Sequence, residues 1–478
     1  MAHGFHIENF GCRAARADGE AVASGLSLSG LVSSPMQDAD VVVVNTCSVT
    51  AEADREARAY IRRTHRLNPA ARIVVTGCYA QRAPEEIAAL EGVSAVVGNS
   101  HKALAPGLAV QAVATAAQTM SQLIPATAVT NSGIPIWADD VFAHSFLEEA
   151  QVLPGAQTRP NLKIQEGCSN RCTFCVIPQT RGNSRSLSQE AILRQVRNFV
   201  SAGGNELVFS GINLGRWGRD LDAKPSLASL VREILTQTDL PRLRLSSIEP
   251  MDWDAEFISL FREFAPSRLA RHAHLPLQSG SDAVLRRMHR RYRPWHYVEK
   301  VAALSAACQD ASGQDELTLG ADVMVGFPGE SDAEFTETYE LIRALPFGYL
   351  HLFPFSPRPG TRAFTLHLSS PVPHQAVAER MAALRALAHE KTRAHRAGMI
   401  GRTLDAITLH TPEALQNQHR TSALTQNFLP VQLSSRIEAN HLISVRITAL
   451  AGDLTLAATV SNQAAAEDHL SPHETALP

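Results

Sequence analysis

The chain has 478 residues, a formal net charge of −3, 45% hydrophobic and 19% charged residues. That length allows two to four domains of about 100–200 residues each, and the composition excludes a disordered or fibrous chain. No stretch approaches the ~20 apolar residues of a membrane-spanning helix, and the N-terminus lacks the basic-then-apolar layout of a secretory signal. No membrane is therefore expected, and the cytoplasm is the default. The small negative charge argues against a uniformly basic nucleic-acid grip and leaves local basic clusters as candidates. Seven cysteines is an odd number, and six sit in motif-like settings, which favours metal or redox use over a disulfide framework.

In chain order, residues 1–112 alternate strand and helix. Apolar runs at 6–10, 41–44, 73–75 and 93–97 read as buried parallel strands. A helical pattern over 54–67 stops at Asn68-Pro69. The alternation predicts a small open α/β sheet. Cys12, Cys47 and Cys78 follow these strands directly, in FGC, NTC and TGC, 35 and then 31 residues apart. Residues just past the carboxyl ends of parallel strands share one sheet edge, where such folds place ligands. Three distant cysteines can thus converge on a metal centre. Residues 113–157, rich in Ala, Thr, Gln and Ser, read as a connector.

A second α/β unit is expected over 158–397. Strands are predicted at 162–165, 206–209, 243–247, 272–277, 318–325 and 349–354, with a helix over 188–202 stopped by Gly203-Gly204. Six such units predict a partly closed parallel (βα)6 barrel, whose chemistry lies at the carboxyl ends of the strands. The first strand runs into Gly-Cys-Ser-Asn-Arg-Cys-Thr-Phe-Cys, which places Cys168, Cys172 and Cys175 on one loop. Cubane clusters take four cysteine thiolates when saturated, so three leave one iron open for a non-protein ligand. The competing readings are a zinc site or buried structural thiols, although zinc favours paired knuckles with a second pair downstream. After a helical stretch at 375–397, alternating strands at 403–409, 428–433, 441–447 and 454–459 predict a small OB-like β-barrel over 398–462. The polar tail, 463–478, is expected to be disordered.

The C-x3-C-x2-C loop, with Phe174 before its last cysteine, resembles the radical S-adenosylmethionine (SAM) enzymes. Nine ordered motifs narrow this: FGC, NTCSVT, TGCYAQR, LKIQEGCSNRCTFCVIPQTRG, SSIEP, HLPLQSGSDAVLRRMHRRY, ADVMVGFPGE, FPFSPRPGT and NFLPVQ. Together they resemble the methylthiotransferases, radical SAM enzymes with an N-terminal cluster domain and a C-terminal TRAM domain. The likeness is greatest to the branch acting on N6-threonylcarbamoyladenosine at tRNA position 37. The alternatives are the isopentenyladenosine branch and the branch modifying a ribosomal-protein aspartate.

The resemblance implies two 4Fe–4S clusters. Cys168, Cys172 and Cys175 would hold the one that cleaves SAM; Cys12, Cys47 and Cys78 would hold an auxiliary one carrying the sulfur to be inserted. One SAM would methylate that sulfur, and a second would yield the radical that abstracts hydrogen from adenine C2. An unactivated aromatic C–H offers no acidic proton, so a cofactor must do this chemistry. The implied partners are the anticodon stem-loop of tRNA, an electron donor such as flavodoxin or ferredoxin, and a sulfur donor.

Gly211, Ile212 and Asn213 lie where the family binds the SAM amino group. Glu249, Gln278, Ser279 and Gly326 are candidates for its ribose, methionine or adenine; tight turns and a surface carboxylate are the ordinary readings. The basic run containing Arg286, Arg287, Arg290 and Arg291 is expected to grip anticodon-loop phosphates, with a solvated helix face as the alternative. Trp295, Trp217 and Tyr79 are candidate base-stacking platforms, or else core residues. Two features depart from the family pattern. Ala15, two positions after Arg13, stands where relatives have Asn, and Cys308 lies outside the motifs and reads as a buried structural thiol.

Overall fold

The computed structural model describes residues 3–114, 126–131, 133–142, 157–452 and 454–461. The expectation for the tail at 463–478, and much of that for the connector, falls outside the described residues.

The four expected N-terminal strands form as β1 (Gly4–Asn9), β3 (Val41–Thr46), β4 (Arg72–Gly77) and β5 (Val93–Gly98), with a two-residue β2 (Val32–Ser33) at the edge. Every position of β3 is buried, as a parallel strand covered on both faces requires. Val41 and Val43 face one core with Val22 and Leu108; Val42 and Val44 face another with Ala57 and Ile61. Helix α2 (Ala51–Leu67) starts where Thr50 Oγ1 accepts the Ala53 N–H at 3.2 Å, a cap worth about 1 kcal/mol.

Two features lie outside the expectations. Helix α1 (Arg13–Leu28) is built mostly of small residues, which leaves little apolar periodicity to read. Strands β6 (Ala128–Val129) and β7 (Pro135–Trp137) come from the connector and extend the first sheet, with Val96 opposite Ile136. They are too short to carry a period. The sheet order is β2-β1-β3-β4-β5-β7-β6.

The six expected barrel strands are β8 (Asn161–Glu166), β10 (Glu206–Gly211), β11 (Arg242–Leu245), β12 (His272–His274), β13 (Thr318–Val325) and β14 (Phe347–Pro354); β9 (Arg185–Ser186) lies antiparallel beside β8. They pair as β11-β10-β8-β9 and β12-β13-β14. The seam between β11 and β12 is bridged by Leu243 to Leu269 and by the Ile248 N–H on the His274 carbonyl at 3.1 Å. β8 and β14 do not pair, and α1 packs onto β8 and β10. Residues facing the helices, such as Ala273, Leu319, Ala321 and Val323, join one large apolar core. Cys308 is 1% exposed in that core.

The C-terminal unit is a closed barrel of β15 (Thr403–Thr408), β16 (Thr421–Thr425), β17 (Pro430–Leu433), β18 (Leu442–Ala451) and β19 (Thr455–Val460), ordered β15-β16-β17-β19-β18. It has one strand more than the sequence pattern shows, because β16 reads Thr-Ser-Ala-Leu-Thr and alternates weakly. The barrel docks through Arg244, whose guanidinium donates to the Thr425 and Gln426 carbonyls at 3.1 Å each. Among the described residues, no helix is long and apolar enough to cross a membrane.

Candidate active site: two cysteine triads

Cys12, Cys47 and Cys78 follow β1, β3 and β4, which lie side by side. Two glycines allow the close approach. At Gly11 (φ +103°) a Cβ would meet Cys47 Cβ at 2.6 Å; at Gly77 (φ +101°) it would meet the Thr46 carbonyl oxygen at 2.3 Å. Only glycine adopts such a backbone without strain. Cys47 and Cys78 are buried and Cys12 is exposed. Burial, and then the adjacent Cys78 and Cys12 thiols, push Cys47 up to about 12. The bare Cys47 thiol resists ionisation there, whereas a bound cation inverts that logic.

The second triad sits past β8 at the barrel rim. Its loop is held by backbone bonds: the Cys168 N–H donates to Gly182 at 3.0 Å and the Thr173 N–H to Met288 at 3.1 Å. Burial, with Cys172 and Cys168 alongside, raises Cys175 to about 12.

Whether these residues suit the implied clusters is decided by what surrounds the sulfurs. Cys78 Sγ accepts from Arg181 Nε at 3.2 Å and Asn99 Nδ2 at 3.4 Å. Cys172 Sγ accepts from Arg290 Nη1 at 3.3 Å, and Cys168 Sγ from the Asn170 N–H at 3.4 Å and Asn213 Nδ2 at 3.6 Å. Donors aimed at cysteine sulfur suit thiolate ligands, whose cluster potentials such bonds tune.

Charge agrees with this. Buried Asp18 and Glu166 pair with buried Lys102, Lys163 and Arg181: Lys102–Asp18 at 2.7 Å, Lys163–Asp18 and Lys163–Glu166 at 2.5 Å, Arg181–Asp18 at 3.0 Å and Arg181–Glu166 at 2.7 Å. Three cations face two carboxylates, and the surplus charge points at Cys78. The thiol and both acids hold the Arg181 guanidinium charged against its burial. The sites fit anionic, thiolate-ligated centres.

Sequence reasoning missed this knot. Arg181 lies in the quoted IPQTRG run, six residues after Cys175, and that position was its one available signal. Asp18 and Lys102 on their helices look like solvated charges in the sequence.

The expected SAM contacts line the same rim. Asn213 donates its backbone N–H to Gln165 Oε1 at 2.7 Å, two residues past Gly211, the end of β10, with Ile212 between them. Glu249 is not a surface carboxylate: it is 6% exposed, with Asn170 Nδ2 at 2.9 Å and Arg290 at 3.3 Å. Ser279 Oγ lies 3.0 Å from Thr338 Oγ1, and the Gly326 N–H donates to Glu330 at 2.9 Å. Gln278 has φ +62°, and its Oε1 is buried without a partner. That orphaned acceptor suits a ligand donor such as a ribose hydroxyl or an amino group.

The basic run divides. The Arg290 side chain is 9% exposed and is held by Glu249 and Cys172. Arg287 is engaged by Glu334 at 2.8 Å, and Arg291 by Asp252 at 3.3 Å. Arg286 is exposed, beside Asp282 at 2.8 Å. Trp217 and Tyr79 are core residues: Trp217 Nε1 donates to the Leu187 carbonyl at 2.9 Å, and the Tyr79 hydroxyl donates to Glu86 at 2.6 Å. Trp295 is 56% exposed. Ala15 is buried, and its carbonyl accepts from Asn45 Nδ2 at 2.5 Å, while Asn45 Oδ1 is left without a partner.

Comparisons with known proteins agree with both halves of this site. The model described as "Radical SAM superfamily" matches residues 162–342, and "Uncharacterized protein family UPF0004" matches residues 4–98. A Bacillus subtilis protein named "Threonylcarbamoyladenosine tRNA methylthiotransferase MtaB" is 34% identical over 83% of this chain and 82% of its own length. Its Aquifex aeolicus namesake is 32% identical over 92% and 99%. A "tRNA-2-methylthio-N(6)-dimethylallyladenosine synthase" of Erythrobacter litoralis is 34% identical over 85% and 86%. Identity of that size, sustained over most of the chain and of its relatives' own length, means that the chain belongs to the methylthiotransferase family of radical SAM enzymes.

Proposed function

We propose that the protein transfers a methylthio group to C2 of N6-threonylcarbamoyladenosine at position 37 of tRNA. The observation that carries the reading is the buried link from Cys78 through Arg181 to the helix following Cys175. It ties the two thiol triads together as one site. The family works with SAM and 4Fe–4S clusters, which when bound supply one-electron chemistry at a carbon with no acidic proton. Cys168, Cys172 and Cys175 would hold one cluster, and Cys12, Cys47 and Cys78 the other.

The chain's own residues bind, orient and exclude water. Arg181 grips Asp18 and Glu166 at once, and this fork fixes the first unit against the second with little freedom to shift. Glu249 locks Arg290 beneath Cys172. In this reading Gln278 Oε1 and Asn213 would contact SAM, and Arg286 and Trp295 the stem-loop. Domain limits at 112, 157, 397 and 462 accompany this reading, with β6 and β7 of the connector serving the first domain.

The threonylcarbamoyl substrate is supported by the names of the Bacillus subtilis and Aquifex aeolicus relatives. The dimethylallyl substrate is the second reading, supported by the Erythrobacter litoralis relative. Nucleoside analysis of tRNA by mass spectrometry, with and without the gene, tests them. The expected result is loss of methylthio-threonylcarbamoyladenosine alone; loss of the methylthio-dimethylallyl nucleoside instead would transfer the assignment to the second reading.

A further inference from the structure

The lumen of the central barrel, below the rim that carries the cysteines, holds a surplus of positive charge. One buried carboxylate, Glu206, is shared by Arg244 at 2.7 Å, Arg159 at 3.3 Å and Arg242 at 3.4 Å. Asp322, higher in the lumen, is engaged by His274 at 3.1 Å and His351 at 3.2 Å. A fourth guanidinium, Arg13, enters from the start of α1. Its Cζ lies 5.3 Å from the centre of the Phe428 ring, and that ring lies 4.3 Å from His272 and 5.8 Å from Tyr349. Tyr349 lies across Gly320, where a Cβ would come within 2.0 Å of its ring. Its hydroxyl is occupied by His272 at 2.8 Å and His274 at 3.0 Å. Among the described residues Arg13 makes no hydrogen bond or ion pair.

A partly buried guanidinium without an anion is costly, and the cost is relieved by a partner with two oxygens in one plane. The lumen supplies no such partner, since both of its carboxylates are taken. Arg13 also follows Cys12 of the first triad directly in sequence, which ties its backbone to that site.

We propose that Arg13, backed by the Phe428 ring, is a subsite for a carboxylate on the N6 substituent of the target adenosine. This rests on the reading of the protein as a tRNA methylthiotransferase and assigns its substrate class. A threonylcarbamoyl group ends in a carboxylate that pairs with the fork. A dimethylallyl group is a hydrocarbon and leaves the guanidinium unpaired. Sites built around a polar partner reject the analogue lacking it far more strongly than apolar pockets reject a change of size.

The test uses the cluster-loaded full chain and synthetic anticodon stem-loops bearing threonylcarbamoyladenosine, its methyl ester, or dimethylallyladenosine. Fluorescence anisotropy should show wild-type protein binding the free carboxylate about tenfold more tightly than the ester, the factor expected of one charged hydrogen-bonded contact. R13Q should bind both RNAs equally at unchanged iron content, and R13K should recover part of the preference. In turnover, R13Q should raise KM for the threonylcarbamoyl stem-loop more than it lowers kcat. Wild-type discrimination that persists in R13Q overturns the subsite and leaves the proposed function standing. A wild-type enzyme that modifies only the dimethylallyl stem-loop overturns both.

Discussion

At the residue scale, the side chains that join the two halves of the site are charged and buried. Arg181 is 1% exposed and bonds to one sulfur and two carboxylates. Its replacement by Met strands Asp18 and Glu166 with less compensation, and breaking a buried pair costs about 3–5 kcal/mol. R181M is therefore expected to lower the denaturation midpoint of the protein even without clusters. R181K should retain part of that stability, because it keeps the charge but not the fork. Urea titration of apoprotein checks this, and an unchanged midpoint would show that the knot contributes nothing net. The cysteines were legible in the sequence because glycine and strand context fixed their position. Arg181, Asp18 and Lys102 were not, because a buried ion pair and a solvated one have the same sequence. Arg290 shows the same limit from the other side: within a basic run it reads as a phosphate ligand, yet Cys172 and Glu249 draw it inward.

At the element scale, strands with long apolar runs were readable and short or polar ones were not. β13 matches its expected limits, while β6, β7 and β16 are stabilised by neighbours rather than by their own pattern. The foot of β10 illustrates how tertiary contacts replace local signal. Glu206 is buried, which alone would raise its pKa, but Arg244 and Arg159 outweigh this and hold it down at about 2. A carboxylate depressed in the folded state contributes stability above its unfolded pKa near 4.5, and that contribution is lost as pH falls toward about 2. Acidification should thus weaken the fold and loosen the terminal barrel, because Arg244 also holds the Thr425 and Gln426 carbonyls. Unfolding free energies from urea titration at about pH 5 and about pH 3 should differ less in E206Q than in wild type, by roughly 2 kcal/mol. Equal pH sensitivity in the two proteins would assign acid lability to other carboxylates.

At the scale of the whole molecule, three units share one interior edge: the first contributes α1 and a cysteine triad, the second the rim, the third Phe428. Anaerobically reconstituted protein is expected to hold about eight irons per chain, and C78A about four. Four in the wild type would leave a single centre. The sequence by itself determined the two α/β units, the terminal β-barrel and both triads, because apolar periodicity, strand-end placement and short-range spacing are local properties. Tertiary structure alone decided which charges are buried, that the connector extends the first sheet, and that Arg13 enters the barrel beside Phe428. Those outcomes depend on which surfaces meet across tens to hundreds of residues, and burial that changes the energy of a charge has no signature in the chain before the surfaces come together.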